Sequence, residues 1–313
     1  MALTLIESAK IALGRDEMLK ATIMELFARG SDLLQYMPFE DISGNALKFD
    51  REKTLPGVAF RGVNEAYTES TGEVEQIVES LAIAGGDLDV DKFLVKTGGA
   101  NQLAVQQGLK VKALSLSLTK QFIKGSVLVD PKGFDGLQVR CTGDQLISTG
   151  TTIGTSAALS LTKLDEVIDC VEDPTHLIMN KTMRRRLSAA ARLATVGGYI
   201  TYDLDAFGRR VTKYNDLPIL MIDKDESNAD ILAFDETSPG GVASAAMSSV
   251  YCASFAENGV MGLQSSEMEV TDLGEQDSKP VYRTRVEWYI TLAILRPRSA
   301  ARLFGVTNAA VTA

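Results

Sequence analysis

The sequence predicts an α+β protein in which one long helix and one long strand, far apart in the chain, frame an inserted section. Residues 98–125 carry a helical pattern, and residues 281–294 alternate polar and apolar side chains as a strand does. Between them, from about 131 to 263, short helical and strand patterns follow one another. The insertion therefore predicts helices packed on a mixed sheet.

The long helix is predicted by a stripe of side chains at steps of three and four residues. Gly98 and Gly99 precede it, and Gly125 follows it. Residues 109–118 also alternate as a strand would, but the phase slips between Ala113 and Leu114, so a helix is favoured. The stripe consists of Ala100, Ala104, Gln107, Val111, Leu114, Leu118 and Phe122.

Composition and charge exclude several classes of protein. The 313 residues are 45% apolar, enough for a substantial core. A net charge of −9 argues against a reader of nucleic acid with a basic face, although a protein can enclose nucleic acid without gripping it. The three cysteines, Cys141, Cys170 and Cys252, have no CxxC spacing and are expected to be free thiols in a reducing compartment. Neither a secretory signal nor a membrane span is predicted, so no membrane partner is expected.

Residues 45–71 form a predicted hairpin with little apolar content. Period-two stretches flank the turn sequence REKTLPG. A two-stranded hairpin alone is marginal in water, so this one either packs on its own domain or lies across another subunit. After it, Gly85 and Gly86 predict a turn, and Asp87, Asp89 and Asp91 lack the glycine and glutamate of a calcium loop, so they predict an acidic turn rather than a metal site.

The rest of the chain gives simpler patterns. Residues 2–30 predict a helical arm, and the insertion predicts helices over 161–170 and 181–196, the second capped by Asn180. A short tail is expected after Pro297. Short strands are predicted around Val139 and Leu146 and at 177–179, 199–202, 211–213, 218–222 and 249–255.

No catalytic motif emerges from the sequence, so neither an enzyme nor a cofactor is predicted. His176 is the only histidine, no serine lies in a GxSxG motif, and no phosphate-binding glycine loop is present. Asp203 and Asp205 open a glycine turn, which explains them as turn formers. Adjacent arginines on a helix point in different directions, so the run 184–186 favours a solvated surface and subunit salt bridges over a phosphate track.

In order along the chain, these features resemble the major capsid proteins of tailed bacteriophages, which have the HK97-like fold. The resemblance lies in the hairpin of 45–71, in DVDKFLVKTGG running into the long helix, and in FDGL at 134–137. It lies also in LIMNKTMRRRL at 177–187, followed by GGYITYD and LPILMID. It covers essentially the whole chain, and the order of the motifs carries it.

The resemblance implies a division of the chain into named parts. Residues 1–40 would be the N-terminal arm and 41–75 the E-loop hairpin. Residues 76–130 would form the peripheral (P) domain with its spine helix, and 131–263 the axial (A) domain. Residues 264–313 would add the C-terminal strand of the P-domain and the tail.

The resemblance also implies a function. Copies would assemble into pentamers and hexamers of an icosahedral virion head around double-stranded DNA, held non-specifically, in the host cytoplasm. Separate scaffolding and portal proteins are possible further partners. Some relatives crosslink a hairpin lysine to an asparagine, but the matching asparagine and the assisting glutamate are not found here, so no crosslink is predicted for Lys53. The candidate subunit-interface residues are Lys48, Arg51, Lys53, Pro56, Arg61, Arg184, Arg185 and Arg186.

Two alternatives stay open. An encapsulin-like cellular compartment has the same fold and holds enzymes rather than DNA, although no motif for a cargo-peptide pocket is seen. An α+β hydrolase or transferase is disfavoured because the sequence offers neither a triad base nor a phosphate loop.

Overall fold

A computed structural model describes residues 3–5, 7, 30–98, 100–150, 156–192, 200–204, 208, 210–237, 246–256 and 258–312. Within these ranges the strands form two large sheets and one separate two-stranded hairpin. The predicted arm over 2–30 falls mostly outside the described residues, but a helix at its start is wrong, because Leu3–Thr4 is a strand. The predicted end of the arginine-rich helix at Gly197 and Gly198 also falls outside them, and the helix itself ends at Ala190, before the predicted 196.

The first sheet is organised around β15 (Val281–Ile294), whose bounds match the predicted strand. One edge of β15 pairs with β5, and the other pairs with β13 and β14. At the far side β2 joins β13, and β1 joins β2. The other strands of this six-stranded sheet are β1 (Leu3–Thr4), β2 (Pro38–Asp41), β5 (Ala82–Asp91), β13 (Val260–Gln264) and β14 (Glu269–Glu275).

The long helix is confirmed, and the strand alternative is wrong. After α1 (Asp32–Tyr36) and α2 (Lys92–Gly98), α3 runs from Ala100 to Lys124 and is called the spine helix below. Val111, Leu118 and Phe122 are buried on the predicted stripe. Phe39 links helix and sheet, because its ring lies 6.4 Å from that of Phe122 and 5.0 Å from that of Trp288.

The second sheet has eight strands, and apolar residues cover both of its faces. On β8, Ile178 belongs to the core shared with the spine helix, whereas Leu177 and Met179 belong to a second core beneath two helices. Those helices are α5 (Leu161–Asp169) and α6 (Lys181–Ala190); α4 (Leu137–Arg140) precedes them. The strands are β6 (Leu146–Ser148), β7 (Ala157–Ser160), β8 (His176–Asn180), β9 (Ile200–Leu204), β10 (Arg210–Tyr214), β11 (Leu217–Ile222), β12 (Met247–Ala253) and β16 (Ala300–Thr312).

The predicted cap of α6 is confirmed. The Asn180 side-chain oxygen Oδ1 accepts a hydrogen bond from the Met183 backbone amide at 2.7 Å. Its side-chain nitrogen Nδ2 donates to the Leu232 carbonyl at 2.8 Å. Met183, Leu187 and Ala190 form the buried face. The short polar side chain therefore both starts the helix and ties it to the sheet.

The turn expected at Gly85 and Gly86 is wrong, because both residues lie inside β5 opposite Glu287 and Val286. A side chain at Gly85 would meet the Val286 carbonyl oxygen at 2.3 Å, so the glycine permits close strand approach rather than a turn. The acidic turn is wrong for the same reason, since Asp87, Asp89 and Asp91 also belong to β5. The strand expected around Val139 is wrong too, since Val139 lies in α4.

The short tail expected after Pro297 is also wrong. A one-turn 3₁₀ helix (Pro297–Ser299) leads into β16, which pairs with β12 on one side and with β6 and β7 on the other. Likewise β13, placed by sequence at the end of the insertion, belongs to the sheet of β15. β13, from the predicted segment 131–263, thus pairs with a strand of 264–313, and β16, from 264–313, pairs with strands of 131–263. The boundaries of the segments stay a prediction.

Candidate assembly surfaces

Among the described residues, the strands of the hairpin are not hydrogen-bonded to either large sheet. β3 (Ala46–Thr54) and β4 (Glu73–Ser80) pair only with each other, placing Phe49 opposite Ile77. The strands therefore begin and end later than the 45–71 pattern predicted. Residues 55–72, the hairpin tip, lie beyond the paired strands, although a period-two pattern had suggested strand there.

Every residue from 52 to 76 is exposed to solvent. Isolated exposed apolar side chains are ordinary on a protein surface, but a contiguous series indicates a surface that another molecule covers. Phe60 is fully exposed, although burying an aromatic ring normally supplies a large share of core energy. The exposed apolar residues of this stretch are Leu55, Val58, Phe60, Val63, Tyr67 and Val74.

Local polar contacts shape the tip. The Ser70 hydroxyl donates to the Gly57 carbonyl at 2.6 Å, which joins the two limbs of the tip. At its end the Gly62 amide donates to the Glu65 carboxylate at 2.8 Å, and the Arg61 guanidinium lies 5.0 Å from the Tyr67 ring centre. The tip has a defined path while burying little apolar surface.

The predicted interface residues of the hairpin occupy both the paired strands and the tip. Arg51 pairs with Glu75 at 3.1 Å, and Lys53 pairs with Glu73 at 3.1 Å, so both lysine and arginine are engaged across the strands. Lys48 is exposed on β3, and Pro56 and Arg61 are exposed in the tip. Their role at a subunit interface stays a prediction.

The base of the hairpin is attached to the body by the packing of Leu47 against the buried cluster that includes Met261 and Ala293 and by an ion pair. The Arg140 guanidinium on α4 binds the Glu79 carboxylate on β4 through two parallel contacts, one of them 2.7 Å long. Both side chains are mostly shielded from water. Because a bidentate arginine–carboxylate pair fixes orientation as well as distance, it sets the direction in which the hairpin leaves the body.

The three adjacent arginines of α6 do not all face one surface, as the helical spacing predicted. Arg185 donates to the Thr182 hydroxyl at 3.2 Å, and Arg186 donates to the Asn308 side chain on β16 at 3.1 Å. Arg184 and Arg185 border a cavity of about 360 Å³ beside Phe234. The structure thus brings two of them to one surface and uses the third within the chain.

His176 is half-buried, Cys141 and Cys252 are buried, and all three are neutral at pH 7. Burial lowers the pKa of His176 to about 4, and its ring lies between Tyr36 and Phe255. Burial also raises the pKa of Cys141 and of Cys252 to about 12, so neither thiol is a thiolate at neutral pH. Within the described ranges, no cluster of metal-ligating side chains is found, and none of the helices combines the length and apolarity of a membrane span.

Sequence reasoning missed further exposed apolar residues on the body. Phe93 and Leu94 on α2 are exposed, and so are Val105 and Leu109, which lie off the predicted buried stripe of the spine helix. Ile83 on β5 is exposed as well. The sequence does contain a signal for these exposed residues, namely apolar side chains off the buried stripe. A helix that packs on one face only should carry polar residues on its opposite face.

No protein-family model and no curated protein sequence matches the chain. Solved structures do. The chain is similar to the holo-SrpI encapsulin complex from Synechococcus elongatus, with a TM-score of 0.63 and 15% identity over 90% of this chain and 89% of that chain. It is similar to the capsid of the native GTA particle, with a TM-score of 0.56 and 15% identity over 89% and 91% of the two chains. It is also similar to the structure from Mycobacterium phage Adephagia, with a TM-score of 0.59 and 12% identity over 89% and 90%.

The chain therefore has the HK97-like fold, with its mixture of few helices and many strands. The similarity spans about nine tenths of each chain. At these identities it establishes the fold.

Proposed function

We propose that this chain is the major capsid protein of a tailed bacteriophage, which assembles into pentamers and hexamers of an icosahedral head around double-stranded DNA. The observation that carries the proposal is the exposed stretch 52–76 with its apolar side chains. A solitary subunit has no use for such a projection, whereas a copy lying beneath it would bury Phe60 and its apolar neighbours. Contacts between two different surfaces of identical subunits generate closed rings when the rotation between neighbours closes, and open filaments when it does not.

The likeness to phage and GTA capsids supports the same proposal, as does the net charge of −9, since an acidic shell would hold DNA without adhering to it. In this account the protein has no catalytic activity, assembles in the host cytoplasm, and ends in the virion. Scaffolding and portal proteins would be separate chains.

An encapsulin-like compartment is the second candidate, favoured by the likeness to the encapsulin subunit with its TM-score of 0.63. The two candidates share the fold and the exposed hairpin and differ in what the shell contains. DNA inside native particles supports a phage head, and a folded protein cargo supports a compartment.

Electron microscopy of the purified chain tests the proposal. We expect rings, tubes or closed shells in the images. In size-exclusion chromatography these particles should elute far above the subunit mass of 33.7 kDa. Nuclease treatment followed by extraction and mass spectrometry of native particles then identifies DNA or protein cargo. A monodisperse monomer across the micromolar range, with no particles at any salt concentration, would overturn both shell proposals.

A further inference from the structure

A closed loop follows the spine helix and is held at a narrow neck. The Gly136 amide donates to the Gly125 carbonyl at 2.9 Å, and the Gln121 side chain donates to the Phe134 carbonyl at 2.8 Å. A side chain at Gly125 would meet the Gln121 carbonyl oxygen at 2.3 Å and the Phe134 carbonyl oxygen at 2.5 Å. The glycine therefore allows the two ends of the loop to approach each other closely, so that the loop forms a compact unit.

The turn at the outer end of this loop is also fixed by hydrogen bonds. The Ser126 carbonyl accepts from the amides of Val129 and Asp130 at 3.1 and 2.9 Å. The Asp135 carboxylate accepts from the Val127 amide at 2.8 Å. Residues 126–130, called the knob below, therefore have a defined shape before any partner binds.

The knob presents apolar side chains to solvent. Leu128 is 95% exposed and Val129 is 87% exposed, and Val127 beside them is exposed too. A flexible loop would lose conformational entropy on binding, whereas a turn already ordered loses little, so a rigid apolar projection suits an interface anchor.

Hydrogen bonds connect the knob to the hairpin. Asp135 holds the Val127 amide through its side chain and accepts from Arg140 through its carbonyl at 2.7 Å. Arg140 in turn holds Glu79 at the base of the hairpin. These contacts thus link the knob, through Asp135 and Arg140, to the base of the hairpin.

We infer that the knob is a second contact between subunits and that its occupant is another copy of this chain. The inference rests on the proposed shell function, since continuity with the hairpin surface is what selects a second copy. The chain itself offers exposed apolar side chains of matching chemistry, such as Phe93 and Leu94 on α2. Knob and receiving surface would differ, so the contact would be heterologous, as ring closure requires.

Leu128→Asp tests the inference in the full-length chain, with Leu128→Ala as a milder second variant. Lys132→Ser is the matched control, because Lys132 is exposed in the same loop but is not apolar. The Phe60→Asp variant, which alters the hairpin tip and leaves the knob intact, is assembled in parallel. Assembly is followed by light scattering and electron microscopy, and circular dichroism checks the fold of each subunit.

We expect the subunit concentration at half-assembly to rise at least tenfold for Leu128→Asp and severalfold for Leu128→Ala, with Lys132→Ser unchanged. If both Leu128 variants assemble like the wild type while Phe60→Asp does not, the knob inference is overturned and the shell function stands. If the wild-type chain itself never assembles, the shell function fails, and the inference fails with it.

Discussion

Arg51 and Glu75 lie opposite each other across the hairpin, with 3.1 Å between guanidinium nitrogen and carboxylate oxygen. The pair is accessible to water, and such pairs typically contribute about 0–1 kcal/mol. Lys53 and Glu73 repeat the arrangement nearer the tip. Cross-strand pairs therefore keep the two strands in register, but they do not supply the stabilisation that a hairpin normally draws from a hydrophobic core.

Hydrogen exchange should accordingly differ between the free and the assembled protein over residues 52–76. In the free subunit we expect exchange within seconds, because the stretch buries little apolar surface. In particles the same amides should become protected, whereas those of β15 should be protected in both states. Equal and strong protection of 52–76 in both states would contradict a limb that orders on another copy.

The spine helix offers a matched pair of substitutions. Phe122 is buried against Phe39 and Phe134, so Phe122→Ala should lower the free energy of unfolding by about 3–5 kcal/mol. Leu109 on the same helix is exposed, and Leu109→Ala should change the free energy of unfolding by less than about 0.5 kcal/mol in the free subunit. Urea denaturation measures both. Similar values for the two variants would be inconsistent with the described packing of the helix.

Stability should depend on pH through His176. Its imidazole is half-buried and neutral in the folded chain, where burial lowers its pKa to about 4, against the ordinary 6.5 when unfolded. Between these values the unfolded chain binds a proton that the folded chain does not, so the free energy of unfolding falls as the pH falls. The contribution is complete above pH 6.5, and its loss approaches about 3 kcal/mol near pH 4.

Comparison with His176→Phe isolates this effect, since a phenyl ring can occupy the space between Tyr36 and Phe255. Denaturation of both proteins at several pH values from 7 to 4.5 should give a shallower pH dependence for the variant. Parallel curves would show that His176 does not titrate as described.

The parts of the fold that the sequence predicted well are those in which local pattern and burial agree. β15 alternates because one face packs on the spine helix while Arg283 and Arg285 on the other face pair with Asp89 and Asp87. The helix α6 was recognisable because Asn180 caps it and its apolar residues face the sheet. In each case a short window of sequence contains the physical cause.

The parts that were missed depend on distant pairing. Gly85 and Gly86 form a strand only because β15, some two hundred residues later, lies against them. The final strand begins with small residues, Ala300 and Ala301, and is buried between β12 and the short strands β6 and β7. At the hairpin tip, alternation around Val58 and Phe60 suggested strands, yet no strand of the described residues pairs with them.

A shell built from this chain requires the hairpin tip to lie on another copy, and crosslinking from position 60 tests that contact. Phe60 is replaced by the photoreactive benzoylphenylalanine in subunits labelled with ¹⁵N, which are assembled with unlabelled wild-type subunits and irradiated. The account predicts that mass spectrometry will find position 60 joined to unlabelled peptides, as contacts between copies require. Crosslinks confined to ¹⁵N peptides of the same chain, in particles where labelled copies are rare, would contradict it.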